Sequence, residues 1–229
     1  MDLMLPPTEP MDAPIRDAAT VILVRDASSA PKVLMGQRGA RAAFMPDKYV
    51  FPGGAVDGGD GDIALAGALG EMCHARLWVD GSAASPDALA TAAIRELWEE
   101  TGQSLGVPGA WSDAPKAWTS FAALDLRPDA SALRFFFRAV TPPGRPRRFD
   151  ARFFLADAEA LSSDPDDFAQ AEAELSHVHW VALDRARDLN LPFITRVVLG
   201  ELESHLPRMD APDRVAFVKN EEQSQVVWL

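Results

Sequence analysis

Residues 95–102 read Arg95-Glu96-Leu97-Trp98-Glu99-Glu100-Thr101-Gly102, which places three carboxylates between an arginine and a glycine. At about 100° of rotation per residue, a helix gathers these carboxylates on one face and leaves apolar residues on the other. Crowded like charges raise each other's pKa unless a cation neutralises them, and hard oxygen ligands suit Mg²⁺ or Mn²⁺ better than Zn²⁺. The stretch therefore predicts a metal-binding helix. The alternative is a solvated acidic face on which Arg95 pairs with Glu99.

A second informative stretch lies upstream of the glutamates and ends in a turn. Residues 49–54 read Tyr49-Val50-Phe51-Pro52-Gly53-Gly54, an apolar run that enters a Pro-Gly-Gly turn. Together with the glutamate segment, this run resembles the Nudix hydrolase family. The family signature joins a glycine-started loop to a helix with the pattern Arg-Glu-apolar-x-Glu-Glu-x-Gly, and residues 95–102 match that helical half at every fixed place.

The sequence departs from the family signature at two places. Gly54 and Arg95 are much farther apart than the loop glycine and the helix arginine of the family, so the signature looks split by an insertion at about 57–85. Counting from Gly81 keeps the family spacing, with Asp87 in place of the usual glutamate, but Gly81 lacks the preceding strand and turn. The second departure is Gln103, which stands where an apolar residue is expected.

The resemblance implies an α/β fold, a Nudix-type α/β/α sandwich with a mixed central sheet and an inserted helical segment. Residue patterns predict strands and helices that agree with it. The predicted strands lie at about 18–25, 32–37, 49–52, 133–140, 148–156 and 177–182, and the predicted helices at about 63–79, 86–101, 184–189 and 192–206. The proline-rich residues 1–14 are predicted to form a mobile arm, and residues 15–229 a single domain.

The resemblance also assigns roles to the residues of the glutamate segment. It implies that Glu99 and Glu100 are the main metal ligands and that Glu96 is a ligand or the base that accepts a proton from the attacking water. The carbonyl oxygen of Gly53 would add a neutral ligand to Mg²⁺ or Mn²⁺. Arg95 would complete the catalytic set by holding the glutamates through charge-assisted hydrogen bonds.

A further acidic ligand or base is expected from a distant loop, because family members often use one. Glu172 and Glu174 are the candidates, and Glu174 is preferred, although a surface loop explains it equally well. Asp57 and Asp60 are a weaker pair of candidates, since they lie just after the Pro-Gly-Gly turn, where loop solubility also accounts for them.

Substrate contacts are predicted at three arginines and one aromatic residue. The guanidinium groups of Arg38, Arg148 and Arg152 suit phosphates, although arginines in so acidic a chain also serve to balance carboxylates. Phe44 would pack on an adenine or acyl group, against a default role in the core.

Composition narrows the classes of partner. A net charge of −12 argues against a nucleic-acid partner, and the single cysteine, Cys73, excludes an internal disulfide and a cysteine-based zinc site. The chain has neither an apolar run of about 18 residues nor a signal-peptide pattern. We therefore expect a cytoplasmic protein without a membrane partner, and the resemblance allows a homodimer.

One competing motif is an esterase signature. Residues 102–106 match the G-x-S-x-G nucleophile elbow of α/β-hydrolases at Ser104, with His177, His179 and His205 downstream. An elbow needs a strand before its serine, whereas Ser104 follows a predicted helix. This motif therefore does not predict an esterase.

The function implied by the resemblance is metal-dependent hydrolysis of the phosphoanhydride bond in a nucleoside diphosphate linked to another group. Residues 44–57 and 147–154 resemble the branch of the family that includes peroxisomal coenzyme A diphosphatases, so coenzyme A or an acyl derivative is the leading substrate. The alternatives are ADP-ribose, a dinucleotide or a nucleotide sugar. A rival from another class is a module that senses a nucleotide without hydrolysing it.

Overall fold

A mixed β-sheet lies at the centre of the computed structural model, which describes residues 13–40, 45–81, 83–220 and 224–229. The strands of the fold are β1 (Ile15–Arg25), β2 (Lys32–Arg38), β3 (Tyr49–Val50), β4 (Gly53–Ala55), β5 (Gly106–Pro108), β6 (Leu126–Pro128), β7 (Arg134–Val140), β8 (Arg148–Asp157), β9 (Leu175–Ala182), β10 (Ala216–Asn220) and β11 (Ser224–Trp228). The α-helices are α1 (Glu71–Leu77), α2 (Pro86–Thr101), α3 (Thr119–Ala122), α4 (Leu183–Ala186) and α5 (Phe193–His205).

Within the described ranges, nine strands form the sheet in the order β11-β10-β7-β8-β1-β2-β3, with β4 paired to β1 and β9 paired to β2. The β1–β8 and β7–β10 pairs are parallel, and the other pairs of this sheet are antiparallel. Strands β5 and β6 form a separate two-stranded sheet. The central strand β1 is buried on both faces, as a strand covered by helices on either side should be.

Two hydrophobic layers flank the sheet because side chains alternate along each strand. Val21 and Leu23 of β1 face a core formed with α1 and α2. Ile22 and Val24 face a second core, to which α4 and α5 contribute. The helix–sheet–helix layering and the mixed sheet confirm the predicted α/β sandwich.

Helix α2 occupies the range that the sequence predicts, because both of its ends carry local signals. The Ser85 side chain accepts a hydrogen bond from the Ala88 backbone N–H at 3.1 Å, and Pro86 follows as the first helical residue. Gly102 ends the helix in the left-handed conformation, with φ of 72°.

The helix predicted at 63–79 is wrong in extent, since only α1 is helical there. The residues before α1 instead bind the β5–β6 pair: Ala66 N–H donates to Pro128 O at 2.8 Å, and Gly67 bridges to Asp129. A side chain at Gly67 would collide with Asp129, so the glycine permits the close approach that competes with a helix. Asp60–Asp62, where neither regular state is predicted, forms a short 3₁₀ helix.

Several other elements differ from prediction. The sequence patterns predict neither β10 nor β11, nor the short strands β4, β5 and β6. Of the predicted arm, residues 1–12 lie outside the described residues. Cys73 is buried, and its Sγ accepts the Phe135 N–H at 3.3 Å. Within the described ranges, no helix combines the length and apolar character that crossing a membrane requires.

Candidate active site

The three glutamates of α2, Glu96, Glu99 and Glu100, form what we call the glutamate face, which lies against β4. The Gly53 N–H donates to Glu100 Oε2 at 2.7 Å. A side chain at Gly54 would collide with the Glu96 carboxylate, and one at Gly53 would come within 2.6 Å of Thr20 Cα. Both glycines of the turn are therefore required by the close approach of α2, β4 and β1.

Arg95 binds two of the three glutamates through its guanidinium group. Its Nη1 donates to Glu96 Oε1 at 2.9 Å and to Glu99 Oε2 at 3.0 Å, while its Nη2 donates to the Ala55 carbonyl at 3.0 Å. Arg95 is only 5% exposed. The structure thus places the arginine where it orients two carboxylates and does not face a substrate.

Asp60 is a weaker candidate in the sequence analysis, but the structure places it in the site. Its carboxylate accepts both Arg95 Nε at 2.9 Å and Arg95 Nη2 at 3.0 Å, and Asp60 is 2% exposed. A bidentate pair of this kind fixes the plane of the guanidinium. The sequence does contain a signal for this role. Gly54 and Asp60 have the same spacing as Gly81 and Asp87, so the loop half of the signature keeps its spacing, with aspartate in place of the usual glutamate, and the insertion falls after Asp60.

Burial gives the glutamate face unusual electrostatics. Burial raises the pKa of Glu96 to about 7 against the opposing charge of Arg95, and it raises the pKa of Glu99 as well. Burial also raises the pKa of Glu100 well above its ordinary value, although the Gly53 N–H opposes the shift. For Arg95, burial alone would lower the pKa, but the hydrogen bond with Asp60 and the neighbouring carboxylates leave it raised.

Both candidates for the distant acid approach this face. The charge of Glu174 raises the pKa of Glu96 and Glu100, and that of Glu172 raises the pKa of Glu99. Glu174 forms an ion pair with Arg38, with Oε1 and Nη2 separated by 3.1 Å. The structure therefore brings Arg38 and Glu174 together beside the glutamate face.

Arg148 and Arg152, predicted to contact substrate, are not brought to this face. Arg152 is 0% exposed and pairs with Asp17 and with Asp150, whose Oδ2 lies 3.2 Å from its Nη2. Arg148 donates its Nε to the Thr141 carbonyl at 3.1 Å and lines a separate cavity of about 230 Å³ with Arg138 and Asp150. The positions of both arginines are set by buried carboxylates and carbonyls within the fold. Phe44 lies outside the described residues.

The donor set fits a hard divalent cation in its chemistry. Glu100 is 2% exposed, and its Oε1 has no hydrogen-bond partner in the described part of the chain. A buried acceptor without a donor, among further carboxylates, is the environment that a cation satisfies. Across the described ranges, however, no three acidic, histidine or cysteine side chains converge closely enough to hold an ion. Glu96 and Glu99 point instead at Arg95, so holding a metal requires rotation of their side chains.

The esterase motif has no supporting geometry. Ser104 is buried in the loop after α2, and its Oγ has no hydrogen-bond partner among the described residues. His179 contacts the His177 carbonyl through Nδ1 at 2.6 Å, and its ring packs edge-on against Tyr49. Neither histidine activates the serine in this arrangement.

Comparisons with known proteins agree with this fold. No family model matches the chain. A Caenorhabditis elegans protein provisionally named nudix hydrolase 7 is 28% identical over 179 residues, which cover 72% of this chain and 51% of the relative. This chain thus spans about half the length of the curated relative it matches. The crystal structure of a NUDIX hydrolase from Alicyclobacillus acidocaldarius has a TM-score of 0.63 and 29% identity, covering 84% of this chain and 92% of the other. The chain has the Nudix fold, and this relative and this structure together support the Nudix hydrolase family.

Proposed function

We propose that this chain is a divalent-metal-dependent pyrophosphatase that hydrolyses the phosphoanhydride bond of a nucleoside diphosphate linked to a second group. One observation carries the proposal: α2 gathers three buried or half-buried glutamates against β4, and one oxygen of Glu100 has no donor within the described ranges. The single charge of Arg95 does not neutralise Glu96, Glu99 and Glu100 together with Asp60, so a bound cation would compensate the negative charge that remains.

The residues that would hold Mg²⁺ or Mn²⁺ are Glu96, Glu99, Glu100, Glu174 and the Gly53 carbonyl. When bound, such an ion neutralises charge on phosphate oxygens and makes a water molecule more acidic. Within this set we assign Glu96 as the general base, with Glu174 as the alternative.

Arg38 is the arginine that we assign to a substrate phosphate. It lies beside Glu100 and Glu174, and its planar guanidinium can donate hydrogen bonds to two phosphate oxygens at once. Its Nε is buried and has no hydrogen-bond partner in the described structure, so a donor remains for a ligand. Arg148 and Arg152 are left out of the assignment because the fold itself uses their charges.

Coenzyme A or acyl-coenzyme A is the leading substrate, and this choice rests on the resemblance of residues 44–57 and 147–154 to one branch of the family. ADP-ribose, dinucleotides and nucleotide sugars are the alternatives. A nucleotide-sensing module is the alternative of another class. It is favoured by one observation, that the described carboxylates do not yet converge on an ion.

The test is product release from a panel of coenzyme A, acetyl-coenzyme A, ADP-ribose, NADH, diadenosine polyphosphates and nucleoside triphosphates, with Mg²⁺ or Mn²⁺. We expect one class to be cleaved well above the others, and we expect Glu99→Gln to abolish that cleavage while the protein stays folded. Full activity without a divalent ion, or in Glu99→Gln, would contradict the proposal. Binding of metal and nucleotide without cleavage would establish the sensor instead.

A further inference from the structure

Gln103 is a buried polar residue at a position where the signature has an apolar one. It is 0% exposed and immediately follows Gly102, the residue that ends α2. Burying an amide is costly unless its donors and acceptor are satisfied. The hydrogen-bond partners of the Gln103 side chain therefore indicate why this chain has a polar residue at that position.

Those partners all belong to one loop. The Gln103 Nε2 group donates to the Asp164 carbonyl at 3.2 Å and to the Asp167 carbonyl at 2.8 Å. Its Oε1 accepts from Ser163 Oγ at 2.9 Å. A single side chain thus uses both ends of its amide to bind two backbone carbonyls and one hydroxyl within residues 163–167, which an apolar residue cannot do.

We call residues 162–174 the acidic loop, because it ends in Glu172 and Glu174. Backbone hydrogen bonds hold this loop at two further points. Ser162 N–H donates to the carbonyl of Ser104, just after α2, at 2.9 Å, and Glu172 N–H donates to the Glu99 carbonyl of α2 at 2.7 Å. The second bond satisfies a carbonyl near the C-terminal end of α2. The acidic loop therefore runs from the Gln103 side chain directly to the glutamate face.

We propose that Gln103 is a positioning residue that fixes the acidic loop so that Glu174 reaches the glutamate face and Arg38. The catalytic consequence rests on the proposed function, whereas the anchoring of the loop does not. Hydrogen bonds from one amide are short and directional, so losing them loosens the loop without removing any charged group from the site. The contacts of Trp180 with the Pro165 carbonyl and of Arg25 with Asp166 remain. On this proposal, the polar residue at position 103 and the acidic residue of the distant loop act together, because Gln103 positions the loop that carries Glu174.

The experiment compares Gln103→Leu with wild type and with the matched control Ser104→Ala, a neighbouring buried residue whose hydroxyl has no partner in the described structure. Amide hydrogen exchange is measured by mass spectrometry on the full chain. We expect exchange in the acidic loop to rise by about tenfold or more in Gln103→Leu only, while α2 and β1 stay protected. Unchanged exchange in the loop, or equal loosening of α2, would overturn the proposal.

A double-mutant cycle supplies a readout that a purely structural role would not move. Mn²⁺ affinity is measured for wild type, Gln103→Leu, Glu174→Gln and the double variant. If Gln103 acts through Glu174, the double variant binds no more weakly than the weaker single variant, whereas additive losses would overturn the coupling. Failure of wild type to hydrolyse any substrate would refute the proposed function alone. If wild type does not bind Mn²⁺ either, the exchange measurement alone decides the anchoring.

Discussion

Two groups of arginines and carboxylates lie on the same side of the sheet and have opposite character. The first is the glutamate face with its partners Arg95 and Asp60. The second, which we call the buried ion cluster, consists of Asp17, Arg138, Asp150 and Arg152 on strands β1, β7 and β8. In the first group carboxylates outnumber arginines. In the second, two arginines face two aspartates.

The difference appears in how burial is compensated. Arg138 binds Asp150 through Nε at 2.9 Å, and the same carboxylate lies near Arg152. Burial lowers the pKa of Arg152, and the charge of Asp150 opposes that shift. Two arginines and two aspartates balance the charge of the cluster within the protein, although Nε and Nη2 of Arg152 have no hydrogen-bond partner in the described residues. The glutamate face instead keeps raised carboxylate pKa values and more carboxylates than arginines. Balanced buried charge indicates a structural role, and unbalanced buried charge indicates a site completed by a ligand.

The largest expected effect breaks the balanced group. Arg152→Met leaves Asp17 and Asp150 with a missing partner in a buried position, so we expect the free energy of unfolding to fall by about 3–5 kcal/mol. Turnover per folded molecule should change little, because Arg152 does not reach the glutamate face. Denaturant unfolding and activity of the folded fraction check both statements.

The control for Arg152→Met is Arg185→Met, which removes one partner of an exposed pair with Asp188. An exposed pair contributes about 0–1 kcal/mol, so this variant should unfold like wild type. If Arg152→Met were as stable as wild type but had lost turnover, the cluster would not be structural. Arg152 would then contact the substrate, as the sequence predicts.

The unbalanced group should respond in the opposite way to Glu100→Gln. The amide keeps an acceptor for the Gly53 N–H but removes a charge that burial disfavours, so we expect unfolding free energy equal to or above that of wild type. Turnover should fall by about 100-fold or more, because one ligand of the cation that would stabilise the transition state is lost. A clear loss of stability would show that this carboxylate is compensated within the protein.

Asp60→Asn probes the contact between the loop after β4 and the glutamate face. It removes the charge from a bidentate contact with Arg95, and a charged hydrogen bond of this kind is worth about 1.5–3 kcal/mol. Turnover should fall by about 10- to 100-fold, as expected for a residue that orients metal ligands. The matched control is Asp62→Asn, an exposed neighbour in the same 3₁₀ helix, which should behave like wild type in both measurements.

What the sequence predicted correctly was encoded locally. Ser85-Pro86 and Gly102 mark the ends of α2 through capping and backbone preference, and helical spacing alone puts the three glutamates on one face. The long strands β1, β7 and β8 also follow from continuous apolar runs.

What it missed depends on contacts between distant residues. Arg152 looks like a phosphate ligand until the parallel register places it opposite Ala19, beside Asp17. Strand β10 is short and is stabilised by pairing in parallel with β7, and no local sequence pattern predicts this pairing. Asp60 accepts a hydrogen bond from Arg95 although the inserted residues separate the two in sequence. The spacing from Gly54 was the signal for that pair.

The smallest expected effect separates two kinds of buried polar atom without a partner. The Oγ of Ser104 and Oε1 of Glu100 both lack a hydrogen-bond partner in the described ranges. A neutral hydroxyl requires no counter-ion, so Ser104→Ala removes only a small desolvation cost and should shift unfolding free energy by no more than about 0.5 kcal/mol. Turnover should match that of wild type. If Ser104→Ala instead abolished turnover, the serine would take part in the chemistry, and charge would no longer be what separates the proposed metal site from other buried polar atoms without a partner.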